Sequence, residues 1–107
     1  MQNCTCSSQS QSTTSLVELE MLAGVFKALG HPVRLMIVEM LIDGERCVCE
    51  LQENSKRDMS TISSHLNILK NNGVVKGEQR GKNVYYTLAC PCLTQVIACL
   101  KDHCSVL

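Results

Sequence analysis

The segment "GERCVCEL", residues 44–51, sets Cys47 and Cys49 on either side of one valine. Six more of the eight cysteines, Cys4, Cys6, Cys90, Cys92, Cys99 and Cys104, lie toward the two ends of the chain. The N-terminal stretch "MQNCTCSSQSQSTTS" has neither the basic start nor the apolar core of a secretory signal. The expected location is therefore the cytoplasm, where thiols stay reduced, so the cysteines point to metal binding or redox chemistry rather than to bridges. Reduced thiolates are ligands for soft, thiophilic ions. The plainer account of Cys47 and Cys49 is that they are small apolar side chains in a core.

A second chemistry-bearing group is cationic. Between Lys56 and Lys82 stand Lys56, Arg57, Lys70, Lys76, Arg80 and Lys82 against Asp58 and Glu78, a balance of +4 in a chain whose net charge is zero. From Leu16 to Ser55 the balance is −4. A segment of one sign suits a protein that turns a positive face to a polyanion.

The elements that must position these groups follow from periodicity. With 107 residues the chain has room for one small domain and a modest core, which small proteins often complete by dimerising. No apolar run approaches the roughly 20 residues of a membrane span, so no membrane partner is expected. Residues 1–15 read as a disordered polar tail carrying Cys4 and Cys6, and residues 16–107 as the folded domain. Leu19, Leu22, Phe26 and Leu29 form a helical stripe that Gly30 can close in the left-handed cap position. Pro32 suits the first turn of a second helix that ends near Gly44. "CVCELQEN" gives about two helical turns. Asp58 can cap a fourth helix with Ile62, Leu66 and Leu69 inward, and Gly73 ends it. "VVKGEQRGKNVYYTL" is a hairpin turning at Arg80–Asn83, and Pro91 can open a last helix with Leu93, Val96, Ile97 and Leu100 on one side.

The expected fold is mainly α with a β-hairpin wing, a winged helix-turn-helix in the order α-α-α-α-β-β-α. In that arrangement the second helix of the pair enters the major groove of DNA. Its early residues are Ser60, Thr61, Ser63, Ser64 and His65; Lys56, Arg57 and Lys70 flank it, and Arg80 and Lys82 crown the wing. Hydroxyls bond phosphates and bases alike, so they do not spell out a DNA sequence. Polar face, flanking cations and basic wing coincide in one segment, which favours DNA over ordinary solvated surface or a protein-docking winged helix.

"FKALGHPVRLMIVEMLIDGERCVCEL" followed by "STISSHLNILKNNGVVKGEQRGKNVYYTL" resembles the ArsR/SmtB family of metal-responsive repressors, over about Leu16–Leu88. The resemblance implies a cytoplasmic homodimer that sits on palindromic double-stranded operator DNA and lets go when an inducer binds. "CVC" at the start of the short helix resembles the arsenite/antimonite sensors and the cadmium/lead sensors of that family. As(III) and Sb(III) take three sulfurs in a pyramid, and Cd(II) or Pb(II) three or four. Gln52 stands where arsenic sensors of the enterobacterial type have a third cysteine, which excludes a self-contained site. Further ligands are then Cys4 or Cys6, as in the tail pair of cadmium/lead sensors, or Cys90 and Cys92, whose thiols can converge around Pro91. Cys99 falls within an apolar helix and reads as packing. His31 reads as a helix-start residue. His103 has beside it only Asp102, which points elsewhere, so the zinc set of the family is absent.

In a regular helix positions i and i+2 point roughly 200° apart. Two thiols so placed meet on one ion only if the first turn unwinds or was never helical, and that distortion is the expected switch. A redox or persulfide sensor on the same scaffold is the rival, for which Cys104 lacks a partner in "LMIVEML". No nucleophile–base pair, phosphate loop or hydrolase spacing appears, so no enzyme is expected.

Overall fold

The computed structural model describes residues 15–106, the side chains of 105 and 106 excepted. Along the chain run α1 (Leu16–Leu29), α2 (Pro32–Ile42), β1 (Arg46–Cys47), α3 (Val48–Ser55), α4 (Met59–Asn71), β2 (Val75–Arg80), β3 (Asn83–Leu88) and α5 (Leu93–Val106). The strands form one antiparallel sheet in the order β1-β3-β2. This is a winged helix-turn-helix, with one strand more than the hairpin alone. No single helix among the described residues is long and apolar enough to cross a membrane.

Local chemistry sets the boundaries. Ser15 opens α1 with a capping box: its hydroxyl accepts the Glu18 N–H at 3.2 Å and its own N–H donates to Glu18 Oε1 at 2.9 Å. Ser15 is thus the N-cap of α1; the rest of the expected tail, with Cys4 and Cys6, lies outside the described residues. His31 starts α2 as expected, its Nδ1 accepting the Val33 N–H at 3.1 Å ahead of Pro32. Gly30 closes α1 at φ −82°, not in the left-handed region. Gly73 does adopt it, at φ +77°, and ends α4 with paired bonds from its own N–H to Lys70 O and from the Val74 N–H to Leu69 O. α5 begins at Leu93 rather than Pro91, because the carbonyls of Cys90, Pro91 and Cys92 are taken by three-residue turns leading into it.

The core is aliphatic. Ile37, Val38 and Leu41 of α2, Leu51 of α3, and Ile62, Leu66 and Leu69 of α4 close on one another, with Val74 and Val75 sealing the entry to the wing. The α4 stripe is as the periodicity predicts. α1 and α5 differ: among the described residues α1 buries only Ala28 and Leu29 and α5 only Ile97, while Leu19, Leu22, Phe26, Val96 and Leu100 stay exposed.

Candidate nucleic-acid interface and thiol site

α3 and α4 meet at a braced turn. Lys56 takes left-handed backbone, φ +60°, and its N–H donates to Gln52 O. The Gln52 amide donates to Arg57 O at 2.8 Å, and Ser55 Oγ bridges Gln52 O and the Arg57 N–H. Gln52, at the position of the missing third sulfur, thus braces the turn.

The face of α4 is sorted by burial. Ser60, Ser63 and Ser64 are exposed, as are Lys56, Arg57 and Lys70 around them. Asn67 shares that face, one turn beyond Ser63 and Ser64; the helical period reaches it, although only the early residues were singled out from the sequence. Two predicted contacts are committed locally. Ser60 Oγ and Thr61 Oγ1 donate to the Asp58 carboxylate at 2.6 and 2.5 Å, which holds that carboxyl below its ordinary pKa. Asp58 caps α4 through hydroxyls instead of main-chain amides.

His65 lies at the edge of the expected DNA face. It is half-buried, its ring 4.6 Å from the ring of His31, and its Nδ1 is buried without a partner, as is Arg34 Nε. Burial, then the nearby His31, Arg34 and Arg57, push its pKa down. The reason is angular: residue 65 is three positions from Ile62 and sits beside the inward stripe.

The wing tip is less basic than its sequence. The turn is Gly81–Lys82, with Gly81 at φ +62° as a tight two-residue hairpin turn requires. Lys82 is exposed there. Arg80, however, is gripped by Glu45 through two bonds of 2.8 and 2.5 Å and by Glu78 at 2.8 Å, and it lies 4.9 Å from the Tyr85 ring. These carboxylates raise its already high pKa. Two anions surround one cation, so Arg80 is not the free crown the sequence implied.

Cys47 and Cys49 occupy different structures. Cys47 is the last residue of β1, extended at φ −82° and ψ 159°, and its N–H donates to Glu50 Oε1 at 3.0 Å. Cys49 is exposed in the first turn of α3, its thiol 4.0 Å from Asn83 Oδ1 at the wing turn. Of the two expected arrangements, Cys47 follows the one that is not helical: it precedes the helix, because β1 holds it extended against β3. Cys90 and Cys92 are half-buried in the turns before α5. Cys99 is exposed rather than packed. Among the described residues no three His, Cys, Asp or Glu side chains converge as a complete metal site.

The profile of the family described as "Bacterial regulatory protein, arsR family" matches residues 31–76, from the start of α2 into β2. An HTH-type transcriptional regulator of Methanocaldococcus jannaschii is 48% identical over 69 residues, covering 63% of this chain and 78% of the relative. A protein of Synechocystis described as a transcriptional repressor SmtB homolog is 36% identical over 89 residues, covering 83% of this chain and 67% of that one. The chain belongs to the arsR family of bacterial regulatory proteins.

Among solved structures, this ArsR-family chain superposes on the homodimeric winged helix-turn-helix DNA-binding domain of a possible ArsR-family regulator from Mycobacterium bovis. The TM-score is 0.78 at 29% identity, over 91% of this chain and 90% of that one. As an ArsR/SmtB-family transcriptional repressor the protein is a DNA-binding regulator, not an enzyme.

Proposed function

We propose that this repressor senses As(III) or Sb(III) through Cys47 and Cys49 and releases its operator when the ion binds. The observation that carries the reading is the placing of these two sulfurs where β1 gives way to α3, the helix that braces α4. One ion drawing both sulfurs together must change the backbone at Cys47 or lift the first turn of α3, and either disturbs the support of α4.

The third sulfur comes from Cys4 or Cys6 of the expected tail, residues 1–15, with Cys90 or Cys92 as the second choice. Where both tail cysteines join, the site has four sulfurs and suits Cd(II) or Pb(II), which is the alternative on the same scaffold. The apolar faces of α1 and α5 support a homodimer formed by domain 16–107, and a homodimer on a palindromic operator matches the symmetry of two half-sites. Ser60, Ser63, Ser64 and Asn67 then face the major groove, with Lys56, Arg57, Lys70 and Lys82 on phosphates; Thr61 and His65 shape the helix from within. Thiol ligation requires reduced cysteines, in keeping with a cytoplasmic location.

The test is a titration of arsenite, antimonite, cadmium and zinc into the repressor–operator complex under strict reduction. Release by arsenite or antimonite is expected, with C47S and C49S binding DNA normally but no longer responding. Release only after oxidation or persulfide treatment would assign the protein to redox sensing instead.

A further inference from the structure

We infer that an ion at Cys47 and Cys49 is read out at the wing as well as at α4, with Glu45 and Asn83 as the positioning residues that carry the displacement. The inference rests on the thiol-site reading above and adds a route by which that site is felt.

Glu45, Arg46, Cys47 and Cys49 each meet the hairpin. Arg46 and Cys47 are ladder partners of Tyr86 and Tyr85, so the main chain of one sensing residue is part of the wing sheet. The residue before them, Glu45, holds Arg80 at the end of β2 through two charge-assisted bonds. The guanidinium so held rests over Tyr85, the ladder partner of Cys47. Cys49 completes the set with its thiol against Asn83, the residue opposite Arg80 in the hairpin register. Backbone, carboxylate and thiol thus fasten one five-residue segment to the half of the hairpin that bears Lys82.

Loading the site pulls on these fastenings. As each thiol replaces one hydroxide of arsenite, which leaves as water with the thiol proton (with cadmium the protons go to solvent), Cys49 Sγ must swing toward Cys47 and away from Asn83. Cys47 cannot move toward it without shifting β1 against β3. Glu45, two residues before Cys47, then drags Arg80 with it, and the turn carrying Lys82 changes its pose. A helix-only route through α3 leaves the turn where it was.

The measurements are made on the full-length dimer with arsenite, and with cadmium in parallel. Amide chemical shifts of Gly81 and Lys82 are followed on adding the ion without DNA, and operator affinity is measured with and without it. In the wild type both amides are expected to move. In the Glu45→Gln/Asn83→Ala double variant they should stay put, and the ratio of operator affinities without and with ion should fall at least about fivefold. Ion uptake, read from sulfur-to-ion absorption, should be retained. Glu53→Gln, which removes an equal charge from the exposed side of α3, should keep the wild-type ratio. Ion uptake and operator release with unmoved wing amides, or an unchanged ratio in the double variant, overturn this inference alone. If the wild type takes up no more ion than C47S, the thiol-site reading falls and this one with it.

Discussion

The two halves of this molecule solve the same burial problem differently. α2, α3, α4 and the hairpin close on themselves: Leu51, Ile62 and Leu69 are fully buried and Leu66 is 1% exposed. α1 and α5 carry equally regular apolar stripes, yet Leu22, Phe26 and Leu100 are each about half exposed, at 51%, 55% and 54%. The half that bears the recognition helix is complete within one chain. In the other half no described side chain covers the apolar surface, which is the face the proposed homodimer gives to a second copy.

That contrast can be broken from either side. The largest effect is expected in the closed half: Leu66→Ala should lower unfolding free energy by about 2–5 kcal/mol in urea titrations. Leu22→Ala, measured where the chain is monomeric, should stay within about 0.5 kcal/mol. Equal losses would erase the distinction between the halves. On the open half, Phe26→Glu should weaken self-association at least about tenfold, roughly 1.4 kcal/mol, by sedimentation. Its helical circular dichroism should be unchanged.

A smaller effect belongs to the closed half and has a definite sign. Because burial and neighbouring cations depress the pKa of His65, the folded protein resists a proton that the unfolded chain accepts near the ordinary value of 6.5. Stability is therefore full above pH 6.5 and falls as pH drops from there toward the lowered value, by at most about 1.4 kcal/mol per pH unit. His65→Gln should flatten that slope in thermal melts taken across this range. The smallest expected change is at the wing. Lys82→Ala should reduce the salt dependence of operator binding by about one unit of log–log slope, equally for all DNA sequences.

The closed half was also the more legible in sequence, for a physical reason. Ile62, Leu66 and Leu69 repeat at the helical period and have to be covered locally, so pattern and burial coincide. The hairpin showed itself through Gly81 and the change of period on either side of it. β1 was invisible, since two residues have no period and Arg46–Cys47 become a strand only by pairing with β3. The Glu45–Arg80 grip, 35 residues apart in sequence, needs that pairing first. His65 is polar in the pattern, but its angle puts it beside the Ile62–Leu66 stripe, where it is half-buried. For Leu22 and Phe26 the pattern was correct but silent on which chain would cover them.

The joint at Lys56 has a mechanical consequence. Four hydrogen bonds among Gln52, Ser55, Lys56 and Arg57 make the corner between α3 and α4 stiff, so the two rods rotate together about it. An eight-residue rod is about 12 Å long, so lifting its far end by about 1 Å tips the pair by about 5°. Over the roughly 20 Å of the longer rod this becomes a sweep of more than 1 Å at its tip, comparable with the tolerance of a hydrogen bond to a base edge.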